Sequence, residues 1–342
     1  QADPWSSCRR TRRPGTLRRS GGWHSVPGMT SSPLLAADAV LEKVAAGATW
    51  AEGPVWLPRR RAVRFSDIPG NRILEYSEVS GELTVFAEGV GFTNGRTLDL
   101  DGNVVECSHG RRAVQRDTAV GPEDEHRPAT LVDSFGGLRL NSPNDVVVAS
   151  DGAIWFTDPS YGIKRAEEGH PGEEEYGDRW VFRFDERDGS LTPAVIDVES
   201  PNGLAFSPDE SLLYVADSSL SPADQQADTS GRPRGRAIHV YDVVEGRHAK
   251  NGRTLADVSP GLPDGIRVDV EGRIWSSSLS GVQVFAPTGE RLLDLPVPEK
   301  VGNLCFGGED GTTLYVVATT SLYRIRTTTR DASAGLRGAH SG

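Results

Sequence analysis

Six segments of the sequence place an oxygen-bearing side chain directly before a short apolar run. These residues are Glu52, Asn94, Asn144, Asn202, Asp264 and Asn303. None of the six is a histidine or a cysteine, so the set offers neither nitrogen nor sulfur ligands. Carboxylate and amide oxygens favour Ca²⁺, whereas Mg²⁺ and Mn²⁺ are alternatives and Zn²⁺ is less favoured. If these side chains meet in space, they predict a site for one divalent cation.

Glu52 and Asp264 are the two acids of this set, and their charges help to decide between two interpretations. Two carboxylates that lie close together repel, and one of them must take up a proton unless a cation lies between them. A polar residue at the start of a strand can instead bond the local backbone and hold a turn, which needs no metal. Two acids at matching positions favour the cation site over six separate turns.

The same pattern follows each of the six residues: a short apolar strand, a turn with Gly or Asp, and a second apolar strand. In NSPNDVVVASDGAIWFTDPSYG, which begins at residue 141, an SDG turn separates the β-branched VVV run from the AIWFTD run. Two further strand-like runs follow each hairpin except the last, so a repeat supplies four strands. Radially repeated four-stranded sheets are β-propeller blades, and the sequence therefore predicts an all-β, six-bladed β-propeller with four-stranded blades.

The last repeat has only one strand-like run after its hairpin, and its missing strand is expected from the other end of the chain. Residues 40–45 form an apolar run before the first repeat, and we expect them to complete the final blade. This closure would protect edge strands that an open sheet exposes. Because the innermost strands of a propeller line its central channel, the six polar residues should converge at one mouth of that channel.

Composition limits the classes of protein to which the chain can belong. Its 342 residues carry a formal net charge of −11, which argues against nucleic-acid binding because phosphate contacts need a basic surface. No run approaches the ~18 apolar residues of a membrane-spanning helix, so no membrane partner is expected. The three cysteines, Cys8, Cys107 and Cys305, show no metal-binding spacing and are expected to be reduced thiols.

The composition also divides the chain into three parts. Residues 1–28 hold six arginines among Ser, Gly and Pro without the apolar segment of a secretion signal, and we expect a disordered basic extension. Residues 29–330 are expected to form a single propeller, and residues 331–342 a disordered C-terminal tail. The predicted location is the cytoplasm.

Several segments of the chain together resemble one known family. They are AEGPVW, FSDIPGNRILEY, RLNSPNDVVVASDGAIWFTDPSYGI, SPNGLAFSPD, LYVADSS and LPDGIRVDVEGRIW. From about residue 46 to residue 326, the chain resembles the gluconolactonase, regucalcin and senescence-marker-protein family of calcium-dependent lactonases, in particular its bacterial gluconolactonase branch. The resemblance implies one divalent cation held by Glu52, Asn144, Asn202 and Asp264, with Asn94 and Asn303 as channel neighbours. One departure is Ser108, which precedes His109 where close relatives tend to have an acid.

The resemblance implies that the substrate is a sugar lactone, a gluconolactone-type aldonolactone, which is opened to the aldonic acid. The cation would polarise the carbonyl and activate water. Asp264 is the first choice as general base and Glu52 the second, and the chain has no G-x-S-x-G motif for a serine nucleophile. The residues expected to contact the substrate are Asn94, His109, Arg139, Tyr161 and Asp217. Surface salt bridges, turns and capped strand ends are alternative roles for the last four.

Two other functions are open at this point. An organophosphate-hydrolysing phosphotriesterase of the diisopropyl-fluorophosphatase type resembles this chain in fold and in metal ligands. A non-catalytic calcium-binding propeller is the second alternative, because the fold is widely used as an interaction platform. The long loops at 164–178 and 219–236 could be lids over a site or disordered segments. The sequence does not determine the oligomeric state.

Overall fold

A computed structural model describes residues 32–121, 123–220 and 235–335. These residues form six four-stranded antiparallel sheets, and each innermost strand contacts the innermost strands of both neighbouring sheets. The contacts close a ring, which confirms the predicted six-bladed β-propeller. The predicted extension at residues 1–28 lies outside the described residues, as does most of the loop at 219–236.

Within each blade, the strands follow one another from the channel outwards. Blade 1 comprises β2 (Ala51–Leu57), β3 (Ala62–Asp67), β4 (Arg72–Ser77) and β5 (Leu83–Glu88). Blade 2 comprises β6 (Thr93–Leu98), β7 (Val104–Ser108), β8 (Ala113–Asp117) and β9 (Ala129–Val132). Blade 3 comprises β12 (Val146–Val148), β13 (Ile154–Asp158), β14 (Trp180–Asp185) and β15 (Ser190–Val195).

The second half of the ring repeats this order. Blade 4 comprises β16 (Pro201–Phe206), β17 (Leu212–Asp217), β18 (Ala237–Val244) and β19 (His248–Asp257). Blade 5 comprises β20 (Ile266–Val268), β21 (Ile274–Ser277), β22 (Gly281–Phe285) and β23 (Arg291–Pro296). Blade 6 comprises β24 (Val301–Gly307), β25 (Thr313–Ala318), β26 (Ser321–Arg326) and β1 (Glu42–Ala46). Two smaller elements lie outside this pattern: the hairpin of β10 (Ser134–Phe135) and β11 (Leu138–Arg139), and, within blade 3, helix α1 (Tyr161–Lys164).

Strand β1 closes the ring by pairing with β26 in blade 6. The pairing is antiparallel and places Glu42 opposite Arg324 and Ala46 opposite Ser321. The Arg324 guanidinium also lies 2.8 Å from the Glu42 carboxylate. The prediction that residues 40–45 complete the last blade is confirmed, with the strand shifted by one or two residues.

Packing between blades repeats around the ring, because each blade turns one apolar face to the next. Trp155 of β13 contacts Phe206 of β16 edge to face, with ring centroids 5.4 Å apart. Trp275 of β21 makes the equivalent contact with Phe306 of β24, also at 5.4 Å. Both tryptophans are fully buried, and such aromatic pairs contribute about 0.5–1.5 kcal/mol beyond the area that they bury. These contacts fix neighbouring blades relative to each other, and with them the innermost strands.

The innermost strands also share backbone hydrogen bonds at their entrances. The amide of Gly95 donates to Asn144 O at 2.8 Å, and that of Gly203 donates to Asp264 O at 3.0 Å. A Cβ atom at Gly203 would lie 2.3 Å from that same oxygen, so only glycine permits this approach. The glycine that follows an entrance residue therefore brings adjacent strands together.

A cluster of buried charges connects blades 1 and 2, and we call it the interface charge cluster. Its members are Arg64, Glu75, Arg96, Glu106, Asp117 and His126. The Arg64 guanidinium lies 2.9 Å from Glu75 and 3.4 Å from Asp117. His126 Nε2 lies 2.7 Å from Glu106 Oε1. Burial alone would raise the pKa of Glu106, but the His126 hydrogen bond and the charges of the two arginines outweigh burial and lower it.

The chain keeps contact with the ring beyond the predicted boundary at residue 330. Asp331 forms an isolated β-bridge with Asp269, and the amide of Ala332 donates to Val268 O at 2.9 Å. Residues 331–335, which the sequence assigns to a tail, are thus attached to blade 5. The reason is backbone pairing, which residue composition does not reveal.

Cys107 and Cys305 are buried in β7 and β24, and neither forms a disulfide within the described residues. Among the described residues, no helix has the length and apolar character needed to cross a membrane.

Candidate functional site

A small polar cavity of about 90 Å³ lies at one mouth of the central channel. Five of the six predicted entrance residues line it: Glu52, Asn94, Asn144, Asn202 and Asp264. They come from blades 1 to 5, and each lies at or just before the start of an innermost strand. The structure thus brings together the oxygen donors that the sequence places at equivalent positions of separate repeats.

Three acids line the cavity, and among the described residues only Glu168 has an ion-pair partner, which is Arg165, whereas Glu52 and Asp264 have no arginine or lysine in ion-pair contact. Burial and the negative charge of Asp264 raise the pKa of Glu52 well above its ordinary value. Burial also raises the pKa of Asp264 to about 6, although the charge of Lys300 and a hydrogen bond from Asn202 act in the opposite direction. A protein that holds two carboxylates in this way favours either a shared proton or a bound cation.

Neighbouring side chains orient two of the amides. The neutral His109 ring lies between Glu168 O, 3.1 Å from Nδ1, and Asn94 Nδ2, 3.2 Å from Nε2. If Nδ1–H donates to the carbonyl, Nε2 must accept from Asn94, and the Asn94 carbonyl oxygen is then free for the cavity. Burial lowers the pKa of His109, which favours this neutral form. His109 therefore acts on the site through Asn94.

Asn202 has an equivalent support on blade 4. Its Nδ2 donates to Ser218 Oγ at 3.1 Å, and Ser218 Oγ in turn donates to Pro263 O at 2.5 Å. The hydroxyl proton is committed to the Pro263 carbonyl, so the hydroxyl oxygen must accept from the Asn202 amide. This arrangement leaves the carbonyl oxygen of Asn202 available to the cavity.

Blade 6 departs from the predicted register by one residue. The position that contacts the cavity in the other blades is occupied by Gly302, whose carbonyl accepts the amide of Gly265 at 2.9 Å. A Cβ atom at Gly302 would lie 2.3 Å from Glu52 Oε1, so the Glu52 carboxylate fills the place of a side chain there. The prediction that Asn303 belongs to the ring of entrance residues is wrong.

Asn303 instead belongs to a second layer deeper in the channel. Its Nδ2 lies 3.5 Å from Asp145 Oδ2, and Arg267 Nη1 approaches the same oxygen at 3.4 Å. Asp145 is the residue after Asn144, and burial raises its pKa despite the charge of Arg267. The side chains of this layer contact one another beneath the cavity.

The predicted substrate residues occupy different places. Tyr161 begins α1 and lines the cavity, and the Arg165 guanidinium lies 5.5 Å from its ring centroid. Arg139 is exposed on β11, and the structure does not bring it to the cavity; its backbone amide donates to Glu175 at 2.8 Å. Asp217 is buried at the end of β17, where Oδ1 accepts from the amides of Ser200 and Ser219. Asp217 therefore holds a turn, and its carboxylate is directed away from the cavity.

Other cavity residues were not predicted from the sequence. They are Trp50, Ile68, Arg165, Glu168, Ser218, Leu262, Pro263 and Lys300. Arg165 and Glu168 belong to the long loop at 164–178, which packs against blade 2 through the bond between Glu168 O and His109. The length of that loop was a usable signal. Trp50 and Lys300 precede innermost strands by one residue each, and their position next to the entrance residues was a second signal.

The donor set fits a hard divalent cation. The entrance residues offer two carboxylates and three amides, and oxygen donors of this kind suit Ca²⁺, which takes 6–8 oxygens at 2.3–2.6 Å. Within the described part of the chain, no three His, Cys, Asp or Glu side chains are grouped as a metal site, because most donors in the cavity are asparagines. The raised pKa values of both acids are the second observation that fits, since a cation would relieve their repulsion.

Comparison with known proteins supports the resemblance. Residues 50–320 match the family model described as "SMP-30/Gluconolactonase/LRE-like region". A gluconolactonase from Zymomonas mobilis is 33% identical over 307 residues, which cover 84% of this chain and 82% of that protein. Pentonolactonase XacC from Haloferax volcanii is 30% identical over 270 residues, which cover 78% of this chain and 80% of that protein.

The solved structures agree with these relatives. The structure of a gluconolactonase from Xanthomonas campestris has a TM-score of 0.76 and 34% sequence identity, and the match covers 92% of this chain and 98% of that one. The family model covers most of the chain, and the relatives align along nearly the whole propeller. The chain therefore belongs to the SMP-30/gluconolactonase/LRE-like family.

Proposed function

We propose that this protein is a lactonase that opens a sugar lactone to the aldonic acid and uses one divalent cation to do so. The observation that carries the proposal is the convergence of Glu52 and Asp264 with three asparagine amides at one channel mouth. Family membership supports the reaction class, and the names of the two curated relatives point to lactones of sugar acids. We expect a cytoplasmic enzyme that acts on a small molecule.

The residues proposed to hold the cation are Glu52, Asn144, Asn202 and Asp264. Ca²⁺ is the ion that this set favours, and Mg²⁺, Mn²⁺ and Zn²⁺ are the alternatives. Asn94 lies in the same cavity, and its carbonyl oxygen is directed by His109, so it is assigned to the substrate. When bound, the ion would polarise the lactone carbonyl and make the attacking water more acidic.

Asp264 is our choice for the general base. It is a partly buried carboxylate that lines the cavity proposed to hold the ion, so it can accept a proton from the attacking water while it remains a ligand. The water oxygen forms a bond to the carbonyl carbon while its proton passes to Asp264. The bond between that carbon and the ring oxygen then breaks, and the ring oxygen becomes a hydroxyl by taking the proton back from Asp264. Glu52 is the second choice for the base.

The reaction can be tested by following acid release from gluconolactone with a pH indicator. The protein would be treated with EDTA, freed of chelator and assayed again with Ca²⁺, Mg²⁺, Mn²⁺ or Zn²⁺ added separately. We expect hydrolysis above the spontaneous rate that EDTA abolishes and at least one ion restores. Turnover that is indifferent to EDTA and metal would contradict the cation, and no turnover of any sugar lactone would contradict the lactonase.

A parallel assay with diisopropyl fluorophosphate decides between the lactonase and the phosphotriesterase alternative. Fluoride release that exceeds lactone hydrolysis in kcat/KM would favour the phosphotriesterase. If neither substrate is turned over but Ca²⁺ binds, the protein is a calcium-binding propeller without this catalysis.

A further inference from the structure

Blade 6 contributes no oxygen side chain to the cavity, although it lies between the two blades that contribute acids. Blade 5 supplies Asp264 and blade 1 supplies Glu52. Between them, the entrance position of blade 6 is Gly302, over which the Glu52 carboxylate lies. The side chain that blade 6 presents to the cavity is Lys300, two residues earlier in the chain. A positive charge thus lies in the sector between the two carboxylates.

Lys300 is held in place from two sides. Its backbone carbonyl accepts hydrogen bonds from the Thr319 amide at 3.0 Å and from Thr319 Oγ1 at 3.2 Å. Its Nζ lies 4.5 Å from the centroid of the Trp50 ring, a distance typical of a cation–π contact. Its charge acts on the cavity, because it lowers the pKa of both Glu52 and Asp264.

Lys300 contacts an aromatic ring, whereas two neighbouring cations contact carboxylates. Arg165 at the same cavity is paired with Glu168, and Lys43 on the outer strand of blade 6 is paired with Glu299 at 3.0 Å. Within the described residues, the Lys300 ammonium has an aromatic ring beside it and no carboxylate in ion-pair contact. Its hydrogen-bond donors are therefore available to a ligand in the cavity.

The charge balance indicates what that ligand is. A divalent cation would compensate the two carboxylates, and Lys300 would then be the excess positive charge at the mouth. Ring opening converts a neutral lactone into a hydroxycarboxylate, so one negative charge appears at the carbonyl carbon during the reaction. We propose that Lys300, which rests on Trp50, binds the carboxylate of the open-chain sugar acid and so makes this site selective for anionic over neutral sugars.

This proposal rests on the proposed function for the identity of the anion, but its test does not need turnover. Binding of gluconate and of the neutral polyol glucitol would be measured by calorimetry on the calcium-loaded protein. The variants are Lys300→Met, which removes the charge, and Lys300→Arg, which keeps it. Lys43→Met is the matched control, because Lys43 is also a lysine near an aromatic ring, 5.7 Å from the Tyr323 centroid, but lies outside the cavity.

We expect Lys300→Met to raise the Kd for gluconate by about ten- to a hundredfold, as for the loss of a hydrogen bond to a charged group. Its Kd for glucitol and for calcium should not rise, and Lys300→Arg and Lys43→Met should stay within about threefold of the unchanged protein. An unchanged gluconate Kd in Lys300→Met, an equal loss of glucitol binding, or the absence of gluconate binding by the unchanged protein would overturn the proposal. Thermal unfolding of each variant confirms that the fold is retained.

The two proposals can fail separately. If the protein hydrolyses lactones but Lys300→Met binds gluconate normally, the lactonase stands and the role of Lys300 is lost. If the protein does not hydrolyse lactones but binds gluconate through Lys300, the anion site stands and the lactonase is lost.

Discussion

The channel mouth and the interface charge cluster both bury carboxylates, but they balance the charges differently. In the cluster, Glu106 meets His126 at 2.7 Å and Asp117 meets Arg64 at 3.4 Å. At the mouth, Glu52 accepts from the Gly53 amide and Asp264 from Asn202, and the negative charge of Asp264 acts on Glu52. The pKa of Glu106 is accordingly lowered, whereas the pKa values of both mouth acids are raised. Burial is thus common to both regions, and the difference is a protein cation in direct contact with the acid, which the cluster supplies and the mouth does not supply to Glu52 or Asp264 within the described residues.

The sharpest test of the mouth is Asp264→Asn, which keeps an oxygen of similar size and removes the base. With the site shown to be loaded by direct metal analysis, we expect kcat to fall by about 10²- to 10⁴-fold, the usual effect of losing a general base. Asn202→Ala is the control, because it removes a neutral oxygen and excess Ca²⁺ should restore much of its rate. Near-normal activity of loaded Asp264→Asn would move the base to Glu52 or to no side chain.

The corresponding test of the cluster is Glu106→Gln, which leaves the buried charge of Arg96 without its acid. Removing one partner of a buried ion pair costs about 3–5 kcal/mol, and we expect a loss of that order in the free energy of unfolding. Calcium affinity should change little, because none of the six cluster residues lines the cavity. Glu125→Gln serves as the exposed control: it removes the surface pair with Arg127 and should leave the unfolding curve nearly unchanged. Equal effects of the two substitutions would mean that the cluster contributes little.

Removal of the cation should lower the free energy of unfolding by the binding energy at the cavity, independently of the interface charge cluster. If the ion binds only the folded ring, a concentration 100 times its Kd adds roughly 2.7 kcal/mol to the free energy of unfolding. EDTA should therefore lower the Tm, and it should do so in Glu106→Gln as well as in the unchanged protein. Unfolding curves with and without EDTA that superimpose would argue against a tightly bound ion.

The two regions should also respond to pH with opposite signs. In the cation-free protein, the folded-state pKa of Asp264 is raised to about 6, so its contribution to stability is complete at low pH and is lost as the pH rises through 6. Glu106 has a lowered pKa, so its contribution is present at neutral pH and is lost as the pH falls below the ordinary range of a glutamate. Each group changes the free energy of unfolding by at most about 1.4 kcal/mol per pH unit.

Urea unfolding in EDTA between about pH 2.5 and pH 8 would measure both slopes, because the loss from Glu106 begins only below the ordinary pKa of a glutamate. Asp264→Asn should flatten the decline near pH 6, and Glu106→Gln should flatten the decline at acidic pH. The same sign of slope for both acids would contradict the contrast between the regions.

The sequence predicted the ring because its evidence is local and repeated. Each hairpin, such as β12 with β13, joins two apolar runs across a short turn, and six copies of it leave few other architectures. Five entrance residues followed directly from that repeat. Their meeting point needed no distance information, since equivalent positions of a closed ring must face one axis.

The prediction for blade 6 was wrong because the backbone is irregular where the innermost strand begins. The pairing of the innermost strand shifts register at its entrance in blades 1, 2, 4 and 6, between residues such as Val301 and Asn303. A bulge of this kind changes which residue faces the channel without a fixed sequence signature. In blade 6 the order is glycine then asparagine, the reverse of the Asn-Gly order in blades 2 and 4, so an alignment on Asn303 is displaced by one residue.

The substrate residues around the cavity were harder to predict than the entrance residues, because their positions depend on loops of different blades. Arg139 and Lys300 are both charged residues near a strand end, but only Lys300 reaches the cavity. The difference lies in the β10–β11 hairpin, which leaves Arg139 exposed away from the channel. Asp217 was a similar case, since its carboxylate satisfies two backbone amides of its own turn. Asp217 therefore bonds its own turn and does not line the cavity.

The antiparallel closure of blade 6 has a mechanical consequence. The first residue of β1, Glu42, is opposite Arg324 near the end of β26. The chain therefore enters β1 and leaves β26 at the same end of these two paired strands. A force that separates the two ends would load these hydrogen bonds one after another, as a zipper opens, and not all at once in shear. A pull applied at residues 42 and 326 would therefore begin to open this blade under a small load, while a pull between two interior loops would meet several strands in parallel.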